Sequence, residues 1–119
     1  MIVWVAGNGP NPLIARLRPQ FETSNGRLLT DDSLRVLDSN KIPLDRIYAL
    51  GDCSTLITKP LPATAQVANQ QANYLAAVLN GKAKDSIGQA ERDIKFSFKD
   101  RGMLAYVGSW RGTFFIMKR

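Results

Sequence analysis

Histidine is absent from the 119 residues, and cysteine occurs once, at Cys53. Without histidine neither a Ser-His-Asp nor a Cys-His catalytic arrangement can be built, and the usual Cys/His metal sites are excluded with them. A lone cysteine rules out an internal disulfide and the dithiol pair that a disulfide reductase needs. Long apolar runs are also missing: Met1 to Ala6 and Thr113 to Met117 fall far short of the roughly 20 residues that a bilayer-spanning helix requires. No Gly-x-Gly-x-x-Gly occurs, because Gly7-Asn8-Gly9 runs into Pro10-Asn11-Pro12 in place of a third glycine and a helix. Met1 is followed directly by Ile2-Val3-Trp4-Val5 with no basic or Arg-rich leader, so no targeting segment is expected.

What remains is an ordinary globular composition, 45% apolar, with a net charge of +6. The 16 basic residues are scattered from Arg16 to Arg119 and form no dense run, so a solvated basic surface is expected and nucleic acid is not an expected partner.

Ile2-Val3-Trp4-Val5-Ala6, closed by the turn residues from Gly7 to Pro12, reads as a buried strand of an α/β sheet. Between Arg16 and Pro43 apolar positions are sparse, and the region reads as excursions over a scaffold. It carries a turn at Asn25-Gly26 and short strand candidates at Leu28-Leu29 and from Leu34 to Leu37. Ile47-Tyr48-Ala49-Leu50 is a second buried-strand candidate, and Gly51-Asp52 is where the chain turns away from it. Pro60 and Pro62 stop any earlier helix. From Thr64 to Leu79, Ala65, Ala68, Ala72, Leu75, Ala76 and Leu79 recur at three- and four-residue intervals, which predicts a helix with these residues on one face. Asn80-Gly81 supplies its stop, and a polar linker from Lys82 to Arg92 follows. Alternation of Ile94, Phe96 and Phe98 with Lys95, Ser97 and Lys99 predicts a half-buried strand. Two more strands, Met103 to Val107 and Thr113 to Met117, complete a small antiparallel unit.

The chemistry is concentrated after the second buried strand. Open α/β sheets place ligands beyond the carboxyl ends of their strands. There Gly51 would let a pyrophosphate or ribityl chain approach the backbone, and the Asp52 carboxylate could accept hydrogen bonds from sugar-like hydroxyls. The plain alternative is a turn that merely closes a strand. The helix near Thr64 brings unpaired N–H groups and a positive dipole end, which suit the negative N1/C2 carbonyl edge of a reduced flavin. Gln66 and Gln70 lie one turn apart and can present their amides toward such a ring or a second substrate; equally, they can be two solvated glutamines.

The residues from Ile47 to Ser54 (IYALGDCS), together with those from Leu61 to Gln71 (LPATAQVANQQ), resemble the flavin-binding and Ala-Gln-x-Ala-x-Gln segments of the type II, or alternative, single-subunit NADH dehydrogenases of respiratory membranes. Met1 to Pro12 resembles the strand and turn by which that family's chain returns from its NADH domain to its FAD domain. Leu104-Ala105-Tyr106-Val107-Gly108 with Trp110-Arg111-Gly112 resembles the start of its C-terminal domain.

The resemblance implies an α/β fold: the C-terminal part of an FAD/NAD(P)-binding, two-dinucleotide-domain (Rossmann-like) architecture plus a small antiparallel β unit. Residues 1–81 would belong to the FAD-binding domain and 82–119 to the start of a membrane-associating domain. It implies FAD as cofactor, held by Gly51, Asp52, Ala65 and Gln66, and a quinone met by Gln66 and Gln70. NADH would be the substrate that reduces the flavin, without proton pumping. Location by the same resemblance is peripheral, on the mitochondrial inner membrane. No side-chain nucleophile, general acid or metal ligand is assigned, since the cofactor carries the chemistry. Cys53 reads as a small buried residue beside the flavin.

Neither nucleotide fingerprint of that family occurs in these residues, and its membrane-lying helices are not expected in them. The chain on its own is therefore expected neither to hold FAD tightly nor to oxidise NADH. A different class of reading is a non-catalytic basic module that binds anionic lipid or nucleic acid.

Overall fold

The computed structural model describes residues 9, 11–84 and 95–115, and the expected strand from Met1 to Ala6 lies outside them. A helix follows Pro10-Asn11 where none was expected: Asn11 opens α1 (Pro12–Leu17) by accepting the Leu13 N–H on its side chain at 2.9 Å, and Pro12 stands in the first turn, where no N–H is needed. Ile14 is the buried residue of this helix.

Strands β1 (Thr23–Ser24) and β2 (Arg27–Thr30) are joined by Asn25-Gly26, both at positive φ (50° and 72°), the left-handed pair that a tight hairpin turn demands. Beyond β2, Asp31 accepts the N–H groups of Ser33 and Arg35 on one carboxylate oxygen, each at 2.9 Å, and its other oxygen meets the Arg35 guanidinium. Partial burial lowers the Arg35 pKa, but the hydrogen bond and charge of Asp31, with Asp45 and Tyr48, outweigh this and raise it above its ordinary value. The turn brings the chain into β3 (Arg35–Leu37), which pairs antiparallel with both β2 and β4 (Pro43–Tyr48). After a 3-10 turn over Gly51–Cys53, β5 (Ser54–Leu56) runs parallel to β2, with Leu28 opposite Ser54 and Thr30 opposite Leu56.

The result is an α/β arrangement whose five-stranded sheet is mostly antiparallel, with β2–β5 as its parallel pair among the described residues. The stretch between Arg16 and Pro43 is thus the centre of the sheet and not an excursion over it. It supplies Leu28, Thr30, Leu34, Val36 and Leu37 to the interior. The second buried strand is also revised: β4 begins at Pro43, ends at Tyr48 and leaves Ile47 43% exposed. An antiparallel strand needs only one covered face, and a proline at its start donates nothing to the ladder. Ala49, just past the strand, is buried, and Tyr48 and Leu50 beside it are half-buried.

Two apolar clusters result. One joins Ile14, Leu28, Val36 and Ala49 with Leu17 and Phe21 against α1; the other joins Leu34, Leu56, Leu75 and Phe96 with Tyr48, Leu50, Leu61, Tyr74 and Phe98. Tyr74 and Phe96 meet edge to face with ring centres 5.7 Å apart.

Helix α2 (Ala65–Lys84) starts where expected but passes through Asn80-Gly81. A glycine near a helix end costs only about 1 kcal/mol relative to alanine, less than is needed to stop the helix there. Its buried stripe is Val67, Gln71 and Leu75, while Ala65, Ala72, Ala76 and Leu79 of the expected face are exposed. The large residues decide which side faces inward, because they hide more apolar area than alanine.

Residues 95–100 show the expected alternation, with Phe96 buried between exposed Lys95 and Ser97, yet form no strand. They are tied to the turn between β2 and β3 by the Phe96 N–H, donated to the Asp32 carbonyl at 2.8 Å, and by Lys95, whose ammonium lies 3.7 Å from the Asp32 carboxylate. The antiparallel unit is present as β6 (Met103–Gly108) and β7 (Arg111–Phe115), turned by Ser109 and Trp110 at positive φ.

Candidate functional site

The Gly51 turn and the opening of α2 lie side by side. Gly51 has φ +73°, and a β-carbon there would sit 3.4 Å from that of Ala68. Its N–H is donated to the Gln71 side-chain oxygen at 2.7 Å, so helix and turn are fastened by a nearly fully buried amide. At the helix start the Thr64 hydroxyl accepts the Val67 N–H at 3.3 Å, the hydrogen bond expected of a residue capping the first turn.

Asp52 is exposed, and its carboxylate has no hydrogen bond or ion pair with the described residues. It can therefore accept hydrogen bonds from the hydroxyls of a sugar-like chain without first losing a protein partner. Gly51 offers a bare Cα surface, but its N–H is already committed to Gln71 and cannot serve a ligand as well. Ala65 is exposed in the first turn of α2. These features suit a ribityl-like chain at Asp52 and an anionic edge at the helix start.

The two glutamines singled out in the sequence are half-buried, with their amides engaged by the main chain of residues 99–102. Gln66 accepts the Arg101 N–H and donates to the Gly102 carbonyl, both at 2.9 Å. Gln70 accepts the Lys99 N–H at 3.0 Å and donates to the Lys99 carbonyl at 2.8 Å. Each amide keeps a second hydrogen and lone-pair direction beyond these bonds.

Cys53 is exposed and not buried as expected; its thiol donates weakly to the Leu50 carbonyl at 3.3 Å. The small side chain lies at the solvent side of the 3-10 turn, whose inner side is taken by Gly51. Gln71 was not among the expected site residues. Its position four residues from both Val67 and Leu75 is the signal that places it on the buried stripe. Among the described residues no cluster of three metal-ligating side chains occurs, and no helix is long and apolar enough to cross a membrane.

No family model matches the chain. Individual relatives do. It is 33% identical over 121 residues to the internal alternative NAD(P)H-ubiquinone oxidoreductase A1, mitochondrial, of Solanum tuberosum, covering 93% of this chain and 23% of the relative. The external NADH-ubiquinone oxidoreductase 2, mitochondrial, of Saccharomyces cerevisiae is 33% identical over 135 residues, with 92% and 23% covered. The type II NADH:quinone oxidoreductase of Staphylococcus aureus is 32% identical over 120 residues, with 93% and 26% covered. The similarity runs through nearly the whole chain but about a quarter of each of these proteins. By sequence, the chain belongs to the type II, or alternative, NADH:quinone oxidoreductase family, as a segment about a quarter as long as those relatives.

Proposed function

We propose that this segment supplies one wall of an FAD site in an enzyme that transfers electrons from NADH to a quinone without pumping protons. The observation that carries the reading is the fastening of the Gly51-Asp52 turn to the first two turns of α2 by Gln71, which leaves the exposed Asp52 carboxylate without a partner among the described residues. When bound, FAD would supply the two-electron chemistry that links a hydride donor to a quinone. Asp52 would hold the ribityl hydroxyls, and Gly51 would keep that approach clear. Ala65 and Gln66, in the first turn of α2, would lie against the ring, where the helix dipole favours negative charge. Gln66 and Gln70 would stand on the quinone side, through their remaining hydrogen-bonding directions or through the segment they hold.

In this reading residues 1–81 belong to an FAD-binding domain of Rossmann type and residues 82–119 to the start of a membrane-associating one. The names of the Solanum and Saccharomyces relatives support a mitochondrial setting, and reaction with a quinone supports a peripheral place on the inner membrane. The segment alone would be inactive, because no Gly-x-Gly-x-x-Gly cradle for a pyrophosphate occurs in it.

The test is FAD content per polypeptide in the intact protein, with NADH-driven quinone reduction as the second reading. Asp52→Ala is expected to lose flavin on gel filtration that the unaltered protein retains, and to lose turnover in proportion. Equal flavin content in the two proteins would overturn the assignment of Asp52.

A further inference from the structure

A primary amide carries a donor and an acceptor side by side, as does the edge of an extended peptide chain. On a helix, residues four apart are separated by about 6 Å along the axis; residues two apart on an extended chain are separated by about 6.6 Å. Two glutamines one turn apart can therefore read alternate residues of an extended segment. Gln66 and Gln70 engage main chain at this spacing: Gln70 closes a two-point bridge on Lys99, and Gln66 spans the Arg101 N–H and the Gly102 carbonyl.

The segment that they hold leads directly into the β6–β7 hairpin. Gly102 has φ +89°, and a β-carbon on it would come within 2.5 Å of the Phe115 carbonyl oxygen and 2.9 Å of the Phe114 ring. The hairpin itself has little apolar packing on the rest of the described residues: Tyr106 is 75% exposed, Trp110 100% and Phe115 62%. Its attachment to α2 consequently depends on the amide contacts far more than that of a buried element would.

We propose that Gln66 and Gln70 are positioning residues that fasten the main chain of residues 99–102 to the first turns of α2 and so set where the β6–β7 hairpin stands over the helix. Their effect on quinone reduction is then indirect, through the placement of the hairpin. That consequence for turnover rests on the reading of α2 as the flavin wall, whereas the fastening itself does not.

The experiment is residue-resolved amide hydrogen exchange on the intact protein, with quinone kinetics on the same variants. Gln70→Ala is expected to lower protection of the Lys99 amide about tenfold, the scale of one lost hydrogen bond, and Gln66→Ala to do the same at Arg101. Glutamate keeps the acceptor and loses the donor. Gln70→Glu should therefore retain most of the protection at Lys99 that Gln70→Ala loses, a rescue that general loosening of the helix would not give. In the alanine variants the quinone KM should rise together with exchange at these amides, and in Gln70→Glu it should move back with the protection. A raised quinone KM in Gln70→Ala with Lys99 protection unchanged would overturn the proposal in favour of direct quinone contact. Unchanged exchange in both alanine variants would overturn it outright. An intact protein that holds no flavin and reduces no quinone would sink the functional reading alone, since the exchange measurement decides the fastening without either ligand.

Discussion

The side-chain oxygen of Gln71 accepts the N–H of Gly51 at 2.7 Å, and Gln71 is only 3% exposed. Twenty residues apart in sequence, the pair joins the turn after β4 to the second turn of α2. A buried hydrogen bond matters chiefly through what its loss leaves behind. In Gln71→Ala the Gly51 N–H loses its partner and a gap opens beside Val67 and Leu75. We expect a loss of about 1–3 kcal/mol in unfolding free energy. Urea unfolding of the intact protein measures it, and a midpoint equal to that of the unaltered protein would show that the bond contributes nothing.

Gly51 and Gly102 both occupy the left-handed region, but their surroundings differ. At Gly51 the added carbon of an alanine would make ordinary contact with Ala68 at 3.4 Å, so the cost is mainly conformational, about 1–2 kcal/mol. At Gly102 it would also meet a backbone oxygen at 2.5 Å, which cannot be relieved without moving the hairpin. Gly102→Ala is therefore expected to release the Arg101 amide and the β6–β7 ladder to exchange, while Gly51→Ala keeps both protected. Equal protection of the hairpin in the two variants would contradict this ordering.

The Asn25-Gly26 turn, the β2 strand at Leu28-Leu29, the start of α2 and the β6–β7 hairpin were legible because each is specified within a few neighbouring residues. The turn needs two residues that tolerate positive φ, and the sequence supplies them together. Ile47 misled because four apolar residues in a row fit a fully buried strand as well as the end of an edge strand, and only the partner β3 decides. The inward face of α2 was misread because alanines repeat on one side, whereas burial follows Val67 and Leu75 on another. Gln66 and Gln70 were recognisable as a pair, but their partners lie 29 to 36 residues downstream in main-chain atoms, which no side-chain pattern encodes.

Leu34 is fully buried at positive φ (62°), an uncommon conformation for a branched side chain. Asp31 holds the turn by capturing Ser33 and Arg35, and the side chain of Leu34 is thereby directed into the cluster with Leu56, Leu75 and Phe96. Burial of a leucine offsets the local strain, the two being of similar size at about 1.5–3 and 1–2 kcal/mol. Leu34→Ala keeps the strain and removes the packing, so a loss of about 2–5 kcal/mol is expected. Thermal unfolding checks it. A loss below about 1 kcal/mol would mean that the cluster closes over the gap, since the cost of such a truncation depends on how far the site can collapse.

Asp52 gives the reverse pattern, and the contrast with Gln71 separates binding from folding. Its carboxylate is exposed and makes no bond to the described residues, so the fold does not depend on it. Asp52→Ala should leave the urea midpoint of the flavin-free protein within the equivalent of about 0.5 kcal/mol, as surface substitutions away from special features do. If FAD binds as proposed, the same change should weaken its binding by about 1.5–3 kcal/mol, or roughly 10- to 150-fold in Kd, the range for hydrogen bonds to a charged group. Gln71→Ala should instead lower the flavin-free midpoint, with any loss of flavin following from the loosened turn. Titration of both variants with FAD, beside urea curves with and without it, distinguishes the two. If Asp52→Ala lowered the flavin-free midpoint as far as Gln71→Ala does, Asp52 would be a structural residue of the turn and not the proposed ribityl contact.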